Sequence, residues 1–420
     1  MQRKNCFQTL SYYIFVILII FLPFAALLGN ILEFKTTISD SQIFWITHWY
    51  EFLLPFMLIF GLCLTPKNKK VFGWSFLVAV FLIIYSIILI IFSADQVRSI
   101  EGFRFTILPV LFFVIVSMIG FAKEEKNKLV KLYLIVSLVV ASWAIIERFL
   151  PFKYWNNIGL IEPMKIFGWG WHGAGGFTQS VSFMGGPNQL ASYLLPALFL
   201  TVYSIRNTDN SKAAHKTVYC LLSTIISLAI ILTLSRSAIL GMIVGLVVYL
   251  LFFNSKKIIT YAVSSTFIVA IFLIWLFASS ASVKNVITHG GQTGHQMAFV
   301  ETISEIKTRA MQDQAKLFIG SGLGTAGPLV IKYGNGFISE SWYLQILLEI
   351  GIVGLLLWIW FMIALSKELL RKKETVLFLG FFAVSFAAIF LHTWADNPAL
   401  SYSLFILLGI TIGEKWQKEY

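Results

Sequence analysis

Residues 233–241 read TLSRSAILG, and they stand between two apolar runs, 217–234 and 237–253. How that stretch is read decides the fold. A single helix over 217–253 would be about 55 Å long at 1.5 Å per residue, far beyond a hydrocarbon core of about 30 Å. The stretch is therefore read as a hairpin of two membrane helices, with Ser235, Arg236 and Ser237 in its turn.

The rest of the chain supports that frame. Of its 420 residues 58% are hydrophobic and only 12% charged, a balance that suits a polytopic membrane protein and excludes an ordinary soluble globule. Apolar stretches of spanning length recur at 11–29, 48–64, 72–92, 104–121, 130–149, 188–205, 217–234, 237–253, 258–278, 341–362, 375–392 and 398–413. The fold class expected is all-α and integral to the membrane, with about twelve transmembrane helices and two long extracytoplasmic loops. Residues 1–187 hold five helices and one outer loop; residues 188–420 hold seven helices and the large outer loop 279–340.

Basic residues set the orientation, because lysine- and arginine-rich loops stay in the cytoplasm. Lys67, Lys69 and Lys70, then Lys123, Lys126, Lys128 and Lys131, then Arg206, Lys212 and Lys216, then Lys256 and Lys257, then Lys367, Arg371, Lys372 and Lys373 fall in alternate loops. Both termini come out cytoplasmic. The first span has Arg3 and Lys4 before it and Ala25 and Ala26 near its end, which also fits a signal peptide. Kept as an anchor, it gives an even span count and a consistent charge rule. Cys6, Cys63 and Cys220 map to the cytoplasmic side, so no disulfide is expected. The net charge of +12 follows the positive-inside pattern and contact with anionic membrane lipids. No basic patch interleaved with aromatics marks a nucleic-acid partner.

Only two connections are long, 150–187 and 279–340, and both fall on the outer face. The first mixes Trp155, Trp169, Trp171 and His172 with glycines, and ends near Gln179 and Asn188. It reads either as an interfacial aromatic belt or as a carbohydrate platform of ring faces and amides. The second carries near-helical apolar spacing from Met297 to Leu317, an amphipathic helix on the membrane surface or over a cavity. After it GSGLGTAG, residues 320–327, places four glycines in eight residues. Such a loop either brings backbone amides to a phosphate or simply turns, and the lysine and hydroxyl of a P-loop do not follow it.

Arg236 then stands at the outer end of its hairpin. At the bilayer centre a charge costs roughly 2.5–3.5 kcal/mol on insertion scales, and near the interface far less. The arginine there either snorkels to headgroups or clamps a lipid-borne phosphate through paired guanidinium hydrogen bonds. No Asp-x-Asp, no His-x-x-x-His and no cluster of outer carboxylates supplies metal ligands at familiar spacing, and no Gly-x-Ser-x-Gly elbow is present. A reaction without metal or cofactor is expected.

GPNQLASYLLP at 186–196, TLSRSAILGMIVG at 233–245, GSGLGTAGP at 320–328 and ESWYLQILLEIGIVGLLL at 340–357 occur in that order. Together they resemble the O-antigen ligase and polymerase superfamily of bacterial envelope glycan assembly, most strongly from about 180 to 362. The resemblance implies transfer of a glycan from an undecaprenyl-pyrophosphate-linked donor to a sugar hydroxyl of a glycan acceptor, on the outer face of the inner membrane. Arg236 matches the family's Ser-Arg motif, whose arginine is implicated in holding the donor phosphate. The ligases' His-Asn-x-x-Leu pattern is replaced here by Glu340-Ser341-Trp342-Tyr343-Leu344.

Pyrophosphate departure needs cationic groups and a proton acceptor. Glu340 is read as a base or as a helix-start carboxylate; His295 and Arg309 are candidates for the second cationic or proton-handling group. The catalytic candidates are thus Glu340, Arg309 and His295. The substrate-binding candidates are Arg236, Ser235, Gly322, Gly324, His172, Asn188 and Tyr343. Glu349, inside a span, is functional or bonded to Gln345; His392, Trp394 and Asp396 rank lower. The missing histidine tilts the reading towards polymerase. A transporter or lipid-glycan flippase and a non-catalytic envelope scaffold are the rival classes. A polar path at the midplane would favour the former.

Overall fold

A computed structural model describes residues 6–35, 39–64, 73–149, 179–207, 213–253, 292–327, 329–334, 338–395 and 397–413. Among the described residues the regular structure is helical throughout, with no strand. The helices are α1 (Cys6–Phe21), α2 (Ala25–Lys35), α3 (Asp40–Thr47), α4 (Leu53–Leu64), α5 (Trp74–Ile91), α6 (Gln96–Thr106), α7 (Leu108–Ile119), α8 (Lys123–Phe149) and α9 (Pro187–Asn207). There follow α10 (Ala213–Leu232), α11 (Arg236–Phe253), α12 (Gln292–Gln312), α13 (Gln314–Ile319), α14 (Val330–Tyr333), α15 (Trp342–Arg371), α16 (Thr375–Ala387) and α17 (Pro398–Ile412).

Among the described residues four helices are long and apolar enough to cross a membrane: Cys6–Gly29, Trp74–Ile91, Lys123–Glu147 and Trp342–Arg371. A fifth is added if α6 and α7, bent by 55° at Ile107, form one span. Five further apolar helices are shorter, among them Arg236–Leu251 and Pro398–Ile412. At 1.5 Å per residue a helix of about fifteen residues covers little more than 20 Å, short of the core thickness. Among the described residues, helices of spanning length and composition account for four or five of the twelve segments read from hydropathy. The segment 258–278 lies outside the described residues.

The spanning helices are apolar on both sides, which distinguishes them from soluble amphipathic helices. On α5, Ser75, Val78, Ala79, Leu82 and Ser86 are buried, while Leu77, Phe81, Ile84, Ile88 and Ile91 point outward. So large an exposed apolar surface, repeated on α1 and α15, is what a lipid solvent tolerates and water does not.

The two segments divided at 187 share one hydrophobic core. From the amino-terminal part α5 packs on α15 and α7 on α17, and α8 packs on α9 and α10. Close approach of α11 to α16 uses Gly241 and Gly245: a Cβ on Gly241 would stand 2.7 Å from the Ala383 carbonyl, and one on Gly245 3.1 Å from Ala383 Cβ.

Charged side chains close the helix ends at the lysine-rich end of the bundle. Glu368, near the end of α15, accepts from the Ser75 amide at 3.0 Å and its hydroxyl at 2.6 Å, capping the start of α5. Lys372 donates to the Thr411 and Ile412 carbonyls at 2.9 and 3.0 Å, capping the end of α17. Lys126 pairs with Glu374. The opposite end gathers the loops.

Candidate functional site

The hairpin around Arg236 differs in detail from its sequence reading. The turn is Thr233-Leu234-Ser235, and Arg236 is the first residue of α11. Leu234 takes a left-handed φ of 54°. The Thr233 hydroxyl accepts from the Ser235 amide at 3.1 Å, and the Ser235 carbonyl accepts the first helical bond from Ile239 at 2.9 Å. Ser235 thus sits at the N-cap, where a short hydroxyl side chain is favoured. The serine hydroxyls of 235 and 237 lie 3.3 Å apart and both residues are buried. Arg236 is exposed, and among the described residues it has no hydrogen-bond or ion-pair partner.

This placement is electrostatically costly for the helix alone. A cation at the first position faces the positive end of the macrodipole, which disfavours it. Guanidinium and free helix-start amides together form a local field that an anion would neutralise.

The neighbours of this corner come from three elements. The Ser180 amide donates to the Leu232 carbonyl at 3.1 Å, fastening the turn 180–185 beside the hairpin end. That turn, with Ser182 at φ 51° and Gly185 at φ 78°, is clasped by Glu147. One carboxylate oxygen of Glu147 accepts from the Val181 and Ser182 amides at 2.7 and 2.8 Å. Asn188, in the first turn of α9, is half-buried and accepts from the Ser192 hydroxyl through its carbonyl. The Gln189 carbonyl beside it accepts from Asn397 at 2.8 Å, tying α9 to the start of α17.

Antiparallel packing of α11 on α16 brings Arg236 to the end where residues 388–392 meet the start of α15. There the Trp342 amide donates to the Ala388 and Leu391 carbonyls, both at 3.1 Å. His392 Nδ1 lies 3.0 Å from the Ser339 carbonyl. Glu340, half-buried, follows Ser339 directly. His392 therefore stands beside the segment where the resemblance would put a histidine, although it comes from another part of the chain. The Tyr343 hydroxyl donates to the Ser385 carbonyl at 2.8 Å, joining α15 to α16.

Arg309 and the glycines lie elsewhere. Arg309 is buried, with Nε on Glu305 at 2.8 Å and Nη1 on the Leu348 carbonyl at 2.9 Å. Its guanidinium is engaged with backbone rather than open to a ligand. In the glycine loop the Ser321 amide donates to Leu348 O at 2.9 Å and the Gly322 amide to Glu349 O at 3.0 Å. Gly324 has its carbonyl on Arg98 Nε at 2.9 Å and a left-handed φ of 79°. A phosphate would find the Ser321 and Gly322 amides already occupied, so at these positions the loop is a packing device.

Glu349 is fully buried in α15, where its carboxylate accepts from Thr106 at 3.2 Å, the Ala326 amide at 3.2 Å and Gln345 at 3.3 Å. The bond to Gln345 is one of the two readings of this residue made from sequence. The helix predicted over 297–317 is present as α12 and α13, broken at Asp313, whose side chain accepts from the Lys316 amide. His295 lies on α12, and its side chain is outside the described residues; His172, Trp155, Trp169, Trp171 and Asp396 are outside them altogether.

Sequence reading missed Glu147, Arg98 and the pair of Arg104 with Glu51. The last is bidentate at 2.7 and 2.8 Å, and it lines a small pocket with Tyr50, Trp394 and Tyr402. The available signals were a glutamate closing an apolar run at 147 and an Asp95-x-x-Arg98 cap. Among the described residues no group of three His, Cys, Asp or Glu side chains is arranged to hold a metal ion. No family model matches the chain, and no curated protein matches it either.

Proposed function

We propose that this protein is a membrane glycosyltransferase of the O-antigen ligase and polymerase type, with a slight lean to polymerase. It transfers a glycan from undecaprenyl pyrophosphate to a sugar hydroxyl on the outer face of a bacterial inner membrane, without metal. The twelve-span GT-C-like topology and cytoplasmic termini belong to this proposal. The observation that carries it is Arg236: exposed, first in its helix, and without a partner among the described residues. A pyrophosphate supplies the anion that such a corner lacks, and guanidinium suits it bidentately.

In this reading Arg236 holds the donor phosphate and stabilises the charge left on it. Glu340 takes the acceptor proton, and His392 beside Ser339 supplies a second polar group. The test is transfer from a synthetic undecaprenyl-pyrophosphate oligosaccharide by the purified protein with chelator present, read by mass spectrometry. A ladder of lengthened lipid-linked glycans indicates a polymerase, and a single transfer to an added acceptor a ligase.

One set of observations favours the transporter class instead. α15 is broken at Gly351, α6 and α7 are bent, and Glu349 is buried within a spanning helix, features that transporters place around midplane sites. Against it, the Leu348, Glu349 and Ile350 carbonyls at the break are taken by protein donors. Donor flipping in liposomes that survives Arg236→Ala, with no transfer product, would select the transporter.

A further inference from the structure

The break in α15 has an unusual way of satisfying its backbone. Gly351 has φ 72° and ψ −175°, so the helix is interrupted there without a proline. Inside a span every backbone carbonyl needs a partner. Leu348 O receives both the Ser321 amide and Arg309 Nη1, Glu349 O receives the Gly322 amide, and Ile350 O receives the Tyr85 hydroxyl at 3.2 Å. A carbonyl has two lone pairs, and Leu348 has filled both from outside the helix. In an unbroken helix these three carbonyls would belong to the amides of Ile352, Val353 and Gly354.

The fit is backbone on backbone. A Cβ on Gly320 would stand 2.2 Å from Glu349 O, and one on Gly351 2.2 Å from Phe318 O and 2.6 Å from the Gly320 nitrogen. On its far side the loop rests on α6, where a Cβ on Gly102 would meet the Gly324 nitrogen at 2.3 Å. Yet α13, which leads into the loop, buries none of its residues. Within the loop Leu323 and Ala326 are fully buried, so docking rests on hydrogen bonds, glycine fit and a small apolar anchor.

We propose that residues 318–327 form a wedge that competes with α15 for its own carbonyls. Docked, the wedge holds α15 broken and fixes the tilt of residues 342–350, and with them Glu340. Withdrawn, it lets residues 348–354 close into continuous helix and moves that segment. The inference stands on the break itself and does not require the proposed chemistry.

Hydrogen exchange resolved to single amides tests it, on the full chain in lipid nanodiscs, comparing wild type with Gly320→Ala and Gly351→Ala. Both variants expel the wedge, and alanine at 351 also favours helix. The expected result is reciprocal: amides 321 and 322 exchange about tenfold faster or more, while amides 352–354 slow. Loss of protection in both groups together, or no change in either, overturns the proposal. Should neither variant fold, wild type decides. Amides 321 and 322 exchanging at least about tenfold faster than the core amides of α16 supports a separate opening, and equal rates overturn it.

Discussion

At the lysine-rich end of the bundle, Glu368 caps α5 and Lys372 caps α17, and Lys126 meets Glu374. At the loop end, the carbonyls of the α15 break are met by two backbone amides and two side chains, and Arg236 is left exposed at a helix start. The first arrangement consumes charge to close the structure. The second closes the break with the Ser321 and Gly322 amides, Arg309 and the Tyr85 hydroxyl, and leaves the cation of Arg236 on offer. Selection for stability alone would put an anion at the start of α11, as it does at the start of α5. On the proposed function, the first end serves structure and the second chemistry.

Substitutions can break that contrast. The largest effect is expected from Glu368→Ala, which leaves the buried Ser75 amide and hydroxyl without their acceptor. Stability should fall by about 2–3 kcal/mol, seen as a lower unfolding midpoint in detergent, with no change in donor binding at the loop end. Next comes Arg309→Ala, which removes a charged donor from Leu348 O. A loss of about 1.5 kcal/mol is expected, and Arg309→Lys should recover only part of it, because a lysine cannot hold Glu305 and Leu348 in one planar fork. An Arg309 that contacts ligand would instead change donor affinity while leaving the midpoint alone.

Lys372→Met should cost less, about 0.5–1 kcal/mol, by uncapping α17. Faster amide exchange confined to the last turn of that helix is the check. The smallest effect concerns pH. The side-chain hydrogen bond from Lys316, with its backbone amide, holds the Asp313 carboxyl below the usual range. A depressed carboxyl contributes stability that is present at neutral pH and lost as pH falls through its folded value. Protection of the α13 amides, corrected for intrinsic rate, should be flat near neutrality and decline only below the ordinary carboxylate range. A decline already at pH 6 would assign the effect to another group.

The apolar runs made the helices legible, since a chain this poor in charge has few places to turn. The hairpin was read two residues late, because Ser235 and Ser237 are equally good caps and only the Thr233 and Ser235 bonds select the first. The break at Gly351 was invisible. No proline marks it, the run resumes as apolar directly after Glu349, and its partners lie some thirty residues upstream at Ser321 and Gly322. For the same reason the glycine cluster stands out in the sequence while its two readings, phosphate loop or turn, stay open. Composition announces that backbone must come close to something, and only the fold says that the something is Glu349 and Gly351. Arg236 was legible because its physics is local: a charge between two apolar runs has to lie near a membrane surface wherever the rest of the chain goes.

The most direct test of the account is donor transfer by wild type and Arg236→Ala in parallel, with unfolding midpoints measured on the same preparations. The account predicts at least about a hundredfold loss of transfer, the scale of losing one preorganised charge-stabilising donor, with the midpoint unchanged. Equal transfer by the two proteins, or a midpoint that falls in step with activity, would contradict it and make Arg236 a structural residue like Glu368.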